Sequence, residues 1–450
     1  MPTNPSHHHH HQEHQEAASS PQQPQPPEYG EYMMHGAYYG SPAPIGSLGT
    51  PNMGIRMAHR GSPGGSYGSR RSTRRSTPHS CYANEGQEGH HNMILVATRP
   101  LLKALARECR PCPPWCVGTL VCEEAMDELK QFAAFLRPTP EELSCSESAV
   151  GLATGIMQAV WPLVKMSPMS TTAAGLSPLK DVTLHYYAEN TPVAPDDLES
   201  IQLRLQSVAN DQGAQVEFST DYRDVTCVVM TDARSGKRLT IRYGPRASHA
   251  GVAARIFQTT IASNEEYHAT LTVLDALLRQ NKILDDVGTN MEAVNGEALT
   301  TMLVAIINSY GLNDAPDAGR LMMDFFLTFG FPANFDLVKN SVTVKGMAVN
   351  PPSKVHRNAQ ISILDPFDEA QNLTPKLEKA AHLQAVFNYC YTALSQYKQV
   401  SQRQRRAQSI LSTIIGGEAY WGRVLQLYHE GISPFVEVVN EKKHLLAHAL

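Results

Sequence analysis

The sequence predicts an α+β protein in which a small mixed sheet lies between helical segments. Short runs rich in β-branched and aromatic residues fall between Val164 and Gly244, whereas helical periodicity dominates before this stretch and from Glu265 onward. Hydrophobic residues make up 42% of the 450 residues, which is enough for the core of two or three domains.

The individual elements follow from local patterns. A helix is predicted over 123–136, with Pro138 and Pro140 ending it. The next helix is predicted over 140–161, because Thr139 suits an N-cap and Pro140 the first helical position. Alternation and β-branched residues predict strands over 182–187, 225–230 and 238–243, with a helix over 196–208. Later helices are predicted over 266–285, 296–310, 316–330, 376–398 and 401–428.

Residues 1–95 are predicted to be a disordered, low-complexity tail, because they are crowded with Pro, Gly, Ser, His and Gln. Within this tail, arginine pairs precede hydroxyl side chains that suit a basophilic kinase. These possible kinase substrates are Ser72, Thr73, Ser76 and Thr77. A solvated basic patch explains the same repeat, so both interpretations stay open.

Bulk composition excludes several classes of protein. The sequence contains no run of about 18 apolar residues, so no membrane span is predicted. The net charge of −5 argues against gripping nucleic acid by bulk electrostatics, so any RNA contact is expected to be local or supplied by a partner. Eight cysteines without an apolar leader indicate a reducing compartment.

Several segments share a pattern with one known family. The sequence has Asp317-Ala-Gly-Arg-Leu-Met-Met-Asp-Phe-Phe-Leu-Thr-Phe-Gly, then Val342-Thr-Val-Lys-Gly, Ile361-Ser-Ile-Leu-Asp-Pro-Phe-Asp and Val386-Phe-Asn-Tyr-Cys-Tyr. Leu136-Arg-Pro-Thr-Pro-Glu-Glu-Leu and Val160-Trp-Pro precede them. Together they resemble the noncanonical poly(A) polymerases, in the branch also called DNA polymerase sigma, found in the nuclear polyadenylation complex that serves the exosome.

The resemblance implies a nucleotidyltransferase palm embedded in a helical poly(A)-polymerase-associated domain. Its expected boundaries are 96–162 for lead-in helices, 163–262 for the palm, 263–430 for the helical domain and 431–450 for an extension. It also implies protein partners in an RNA-processing complex, possible contact with RNA, and a nuclear location, with the cytoplasm as the alternative.

In this family, three carboxylates on two strands hold two Mg²⁺ ions for nucleotidyl transfer. Aligned through Ala174-Gly175-Leu176, the paired positions fall on Asp181 and Thr183, and the third falls on Thr240. One carboxylate of three is retained. No cofactor is therefore expected, although Mg²⁺ or Mn²⁺ at Asp181 is implied if the chain is active. Asp221 and Asp224 lie just before a predicted strand and could substitute only with a shifted strand register, which the hydrophobic pattern resists.

The resemblance indicates similar losses around the nucleotide. The family's phosphate-facing Gly-Ser falls on Ser170-Thr171, which keeps a hydroxyl at Thr171. Its triphosphate-binding lysine falls on Asp275, with Arg279 one turn later. The family's Gly-Ser-Tyr, whose tyrosine stacks on the base, falls on Asn295-Gly296-Glu297. Asn372 matches a base-contacting position, but a turn residue explains it equally. Thr171, Arg279 and Asn372 are thus the nucleotide-binding candidates.

Four cysteines form a separate candidate metal site. Cys109, Cys112, Cys116 and Cys122 could close a zinc tetrahedron, yet their spacing departs from the two-plus-two pattern of zinc ribbons. Incidental free cysteines fit the spacing better.

Three hypotheses about function follow. The first is a catalytically degenerate polymerase-like protein acting as a scaffold or regulatory subunit in RNA 3′-end processing. The second is an active, divergent terminal nucleotidyltransferase that adds AMP to RNA 3′ ends. The third is a nucleotide-sensing module that binds without turnover.

Overall fold

The computed structural model describes residues 113–117, 125–176, 183–194, 197–221, 225–245, 247, 250–285, 293–311, 314–348, 361–374, 380–397 and 409–440. The predicted tail over 1–95 and the kinase sites within it lie outside the described residues. The predicted domain boundaries stay predictions.

Two helices lead into the sheet, as the sequence predicts. Helix α1 spans Ala125–Phe135 and helix α2 spans Pro140–Val160. The Thr139 hydroxyl accepts a hydrogen bond from the Glu142 amide, and the Glu142 carboxylate accepts one from the Thr139 amide. This reciprocal capping box satisfies two amide groups that a helix start otherwise leaves without partners. With Pro140 at the first helical position, it fixes where α2 begins.

A five-stranded mixed sheet follows. Its elements are β1 (Lys165–Pro168), the short helix α3 (Ser170–Ala173), β2 (Leu184–Glu189), α4 (Leu198–Asp211), β3 (Ala214–Thr220), β4 (Thr226–Asp232) and β5 (Arg238–Arg242). The strand order is β1-β2-β5-β4-β3. The central pair β2 and β5 is parallel, and the other neighbouring pairs are antiparallel.

The two faces of this sheet have different partners. One face packs against α2 and α4, so Val228 and Ile241 share a buried cluster with Ile156 and Leu205. The alternate residues point to the opposite face, because side chains along a strand change sides at every step. On that face, a Cβ added at Gly251 would lie 2.7 Å from the Tyr187 hydroxyl. This second face therefore meets the helices that follow the sheet.

The remaining chain is mostly helical. It contains α5 (Ala250–Phe257), a π-helical turn (Gln258–Ala262), α6 (Glu265–Gln280), β6 (Leu284–Asp285), β7 (Val294–Asn295), α7 (Gly296–Ile307), α8 (Ala318–Gly330), β8 (Ser341–Thr343), β9 (Gly346–Ala348), β10 (Ser362–Ile363), α9 (Ala380–Tyr397) and α10 (Trp421–His429). Strands β10, β8 and β9 form a small sheet, and β6 pairs with β7.

Helices α8 and α9 form the densest part of this region. Phe325 lies between Phe329 and Phe387, with ring centroids 4.9 and 5.2 Å away in edge-to-face geometry. At the end of α8, a Cβ added to Gly330 would lie 2.6 Å from the Asn388 amide nitrogen of α9. The absence of a side chain at Gly330 therefore lets the two helices approach closely.

The carboxy-terminal segment returns to the lead-in helices through buried polar contacts. The Glu128 carboxylate of α1 accepts hydrogen bonds from Trp115 Nε1 (2.9 Å), the Ile410 amide (2.7 Å) and the Ser409 hydroxyl. On α2, Glu142 pairs with Arg423 of α10 at 2.7 Å. These contacts join residues 282 and 281 positions apart, so they hold the carboxy-terminal segment against α1 and α2.

The sequence prediction was wrong in the last helical segment. A single helix was predicted over 401–428, but the described part has 3-10 turns at Leu411–Thr413 and Gly417–Tyr420 before α10 begins. Two consecutive glycines at Gly416 and Gly417 weaken helix formation there. Gly417 also lies against Pro114, whose Cδ would be 3.0 Å from an added Cβ.

Strands β1 and β3 and helix α5 were not predicted. Both strands lie at the edges of the sheet. β1 contains a lysine and a proline, and β3 alternates in burial without a strong apolar run. Edge strands commonly carry such residues, which discourage further pairing but also weaken the sequence signal. Among the described residues, no helix is both long and apolar enough to cross a membrane.

We predict that Arg423→Met lowers the free energy of unfolding by about 3–5 kcal/mol, because it leaves the buried Glu142 carboxylate without its cation. Urea denaturation of the full chain measures this loss. The matched control is Arg320→Met, which removes an exposed ion pair with Asp314 and should barely change the midpoint. Equal effects of the two substitutions would contradict the importance of the buried pair.

The same pair predicts a pH dependence. Burial alone would raise the pKa of Glu142, but hydrogen bonds from the Thr139 amide and Arg423 outweigh it and hold that pKa below its usual value. A lowered pKa in the folded state means that the stabilisation is present above the unfolded value, about 4.3, and is lost as the pH falls through the folded value. The stability difference between the wild type and Glu142→Gln should therefore shrink below about pH 4. A constant difference in acid denaturation curves would disprove this.

Candidate functional site

Two of the three predicted metal-binding positions, Thr183 and Thr240, lie on the sheet face opposite α2 and α4. Thr183 immediately precedes β2, and Thr240 lies on β5 opposite His185 in the parallel register. Because residues two apart share a face, Thr183, His185 and Thr240 project to the same side. Both threonines are buried, at 3% and 4% exposure. Asp181 lies outside the described residues.

The described part of this face supplies no anionic metal site. Thr183 and Thr240 offer neutral hydroxyls, whereas a two-metal centre is held chiefly by carboxylates. No cluster of three or more His, Cys, Asp or Glu side chains suitable for a metal ion occurs among the described residues. The Thr240 hydroxyl is buried, and it has no hydrogen-bond partner in the part of the chain that the structure describes. These residues do not fit a pair of Mg²⁺ ions.

The turn that precedes β2 keeps an unusual backbone conformation. Ser170 has a φ of +54°, in the left-handed region that glycine adopts without steric cost. The turn is tied to β2 because the Thr172 hydroxyl accepts a hydrogen bond from the His185 amide, and the Met169 amide donates to the His185 carbonyl. A glycine-like backbone therefore persists at Ser170, where the resemblance places the family's glycine.

This turn packs directly on the start of α7. A Cβ added to Gly296 would lie 2.8 Å from Ser170 Oγ and 2.8 Å from Thr171 Cγ2. Asn295 caps α7 by accepting a hydrogen bond from the Ala298 amide, and its side-chain amide donates to the Leu373 carbonyl. The two segments to which the resemblance assigns phosphate and base contacts are thus in contact with each other.

A buried ion-pair triad lies beside this contact. The Arg242 guanidinium on β5 pairs through Nε with Asp221 at 2.7 Å and through Nη1 with Glu297 at 3.0 Å. The exposures of Asp221, Arg242 and Glu297 are 3%, 7% and 2%. Arg242 Nη1 also lies 3.6 Å from Met169 Sδ, at the residue before the Ser170 turn. A protein cation therefore occupies the space between the turn and α7.

The helix terminus favours this arrangement. Glu297 lies in the first turn of α7, where the partial positive charge of the helix dipole stabilises a carboxylate. Asp221 is held as well, because its other oxygen accepts a hydrogen bond from the Val225 amide at 3.0 Å. Asp221 was the candidate substitute for a missing metal carboxylate. The structure places it against Arg242 instead, and Asp224 lies outside the described residues.

A cysteine thiol also lies next to Arg242. Cys227 lies opposite Arg242 in the β4–β5 register and is buried. Burial raises the pKa of the Cys227 thiol to about 11, although the nearby Arg242 charge acts in the opposite direction. The thiol is therefore protonated at neutral pH, and it is not activated as a nucleophile.

The candidate phosphate-binding arginine is already paired. On α6, Arg279 donates from Nε and Nη2 to the two oxygens of Asp275, at 2.6 and 3.0 Å. This bidentate pair spans one helical turn. The charge reversal at the family's lysine position thus directs the neighbouring cation to Asp275.

The other candidates are held by local contacts. Asn372 accepts hydrogen bonds from the Ile363 and Thr374 amides and donates to the Ile361 carbonyl, as a turn residue does. Of the four candidate zinc ligands, Cys116 is buried and contacts Gln131 Oε1 at 3.9 Å. Cys109, Cys112 and Cys122 lie outside the described residues. The roles proposed for these residues stay predictions.

Arg242 is the residue that sequence reasoning missed. The alternation in Arg238-Leu-Thr-Ile-Arg was used only to predict a strand. The same alternation places Arg242 on the face of Thr240, where an arginine needs a charged partner if that face is buried. The sequence therefore indicates a buried arginine at position 242. It does not identify the partner of that arginine, because Glu297 is 55 residues further along the chain.

The fold matches solved polymerase structures. Neither a family model nor a curated protein matches the sequence. The polymerase core of TRAMP, an RNA surveillance complex, aligns over 68% of this chain and 99% of its own, with a TM-score of 0.53 and 15% identity. For mtPAP in its apo form the coverages are 70% and 75%, with a TM-score of 0.54 and 13% identity. A mutant of Cid1 poly(U) polymerase bound to MgATP aligns over 63% of this chain and 98% of its own, with a TM-score of 0.51 and 9% identity.

These likenesses show that the chain has the fold shared by these polymerases. The predicted α+β class and nucleotidyltransferase fold are therefore confirmed.

We predict that Gly296→Ala destabilises the protein by about 1–3 kcal/mol, because its Cβ would overlap Ser170 and Thr171. The matched control is Gly151→Ala, which lies within α2 with nothing inside 4 Å of the added Cβ. That substitution should stabilise by about 0.5–1 kcal/mol through helix propensity alone. A Gly296→Ala variant that is stabilised as much as Gly151→Ala would contradict the close contact between the turn and α7.

Proposed function

We propose that this chain is a catalytically inactive relative of the noncanonical poly(A) polymerases, acting as a scaffold or regulatory subunit in RNA 3′-end processing. The fold supports the polymerase side of the proposal. The observation that carries the inactive side is the buried pairing of Arg242 with Asp221 and Glu297, at the place where the resemblance puts the nucleotide.

Electrostatics supports this proposal. Removal of one preorganised charge-stabilising group typically costs about 3–4 kcal/mol of transition-state energy, or two to three orders of magnitude in rate. Two aligned carboxylate positions hold Thr183 and Thr240. Two buried acids on this side, Asp221 and Glu297, already neutralise an arginine. Their charges are therefore committed to holding the protein together rather than to divalent ions.

Retained packing supports a binding role. The segments that resemble the family form the buried cores of α8, β8, β10 and α9. One of the matching structures is the core of an RNA surveillance complex. We therefore propose protein partners of an RNA-processing assembly, in the nucleus. Affinity purification from cell extract tests this, with co-purification of an active polymerase, helicase or RNA-binding protein as the expected result.

We predict no primer extension when the full chain is incubated with an RNA primer, Mg²⁺ or Mn²⁺ and each labelled nucleotide. The physical reason is the missing negative charge at Thr183 and Thr240. A denaturing gel that resolves single added nucleotides measures this directly. Background incorporation should be equal in the wild type and in Asp181→Ala.

Extension that disappears in Asp181→Ala would contradict the proposal. It would establish the chain as an active terminal nucleotidyltransferase. A contaminating polymerase would produce extension that is unaffected by the substitution, so Asp181→Ala separates the two sources of signal.

A further inference from the structure

The Asp221–Arg242–Glu297 triad connects parts of the fold that are distant in sequence. Asp221 follows β3, Arg242 ends β5, and Glu297 lies in the first turn of α7. Two of its members therefore belong to the sheet and one belongs to the helical region. A single guanidinium joins them, at 2.7 and 3.0 Å.

The guanidinium geometry defines a direction as well as a distance. Arg242 uses Nε for Asp221 and Nη1 for Glu297. The Nη1 contact with Glu297 has hydrogen-bond geometry, whereas the Nε contact with Asp221 is an ion pair only. Because a guanidinium is planar and its N–H groups have fixed directions, the Glu297 hydrogen bond restricts how the plane can rotate.

A second, uncharged contact lies at the same seam. Gly296, the neighbour of Glu297, packs against Ser170 and Thr171 without room for a Cβ. Arg242 reaches the same turn through Met169, at 3.6 Å. The ion pairs and the glycine contact therefore hold the same two surfaces together.

Burial makes the triad an all-or-none element. The members of this ion pair are at most 7% exposed. Removing only one partner is costly, because the remaining charge stays buried away from water. Replacing every member with well-packed hydrophobic residues of similar volume avoids that cost and often preserves stability. Stability and positioning can consequently be separated by experiment.

We propose that Asp221, Arg242 and Glu297 form a built-in conformational lock that holds the sheet against the start of α7 without any bound nucleotide or metal. Arg242 is the positioning residue, since it contacts both carboxylates. The lock goes beyond the proposed function, because it concerns the geometry of the seam and applies whether or not the chain has activity.

Hydrogen–deuterium exchange of the full chain tests the lock. The informative peptides cover 166–174, which contain the Ser170 turn, and 294–304, which contain the start of α7. In the wild type both should be protected without ligand. In Arg242→Met their exchange should rise at least tenfold, whereas peptides from α8 and α9 should change much less.

A triple variant separates positioning from stability. Asp221→Leu, Arg242→Met and Glu297→Met together replace all three charges with apolar side chains, so the thermal midpoint should recover most of the loss seen in Arg242→Met. Exchange at 166–174 and 294–304 should nevertheless remain raised. The matched control is Arg423→Met, which breaks the other buried pair and should leave these two peptides protected in the folded state.

Two results would overturn the lock. One is unchanged exchange of both peptides in Arg242→Met. The other is full recovery of their protection in the triple variant, which would show that the triad affects only stability. Neither result depends on primer extension, so failure of the lock is distinguishable from failure of the proposed function.

Discussion

The pairing of Arg242 with Asp221 and Glu297 is the interaction on which the arrangement of the site depends. A buried arginine is tolerated only when its charge is matched and its N–H groups are hydrogen-bonded. Here one carboxylate comes from the sheet and the other from the start of α7. Asp221 and Glu297 together neutralise the charge of this buried arginine.

Several features that differ from a polymerase pocket have a common physical explanation. Threonine at Thr240 keeps strong negative charge from competing for Arg242 on the same strand face. Glu297 supplies charge where the resemblance expects an aromatic ring, and Asp275 binds the cation of Arg279. The charges of Arg242 and Arg279 are thus both paired with carboxylates of the protein itself. This internal satisfaction is what the proposed scaffold role rests on.

Much of the fold could be predicted from local sequence. The Thr139-Pro140 start of α2 is specified by a capping box, and β5 by its alternation. The site could be predicted only in part. The threonines at Thr183 and Thr240 are read directly from the sequence, and their alignment with metal carboxylates stays a prediction. The ion pairs of Arg242 depend on long-range pairing that no local pattern encodes. Edge strands were missed for a different reason, because their polar residues give little apolar signal.

The proposed inactivity requires that Asp221 and Glu297 neutralise Arg242 instead of taking part in a nucleotide site. Isothermal titration of the full chain with ATP and excess Mg²⁺ tests it most directly. The account predicts no saturable heat up to millimolar nucleotide, with equal dilution heats for the wild type and Arg242→Met. Saturable one-to-one binding to the wild type, weakened by Asp181→Ala, would contradict it.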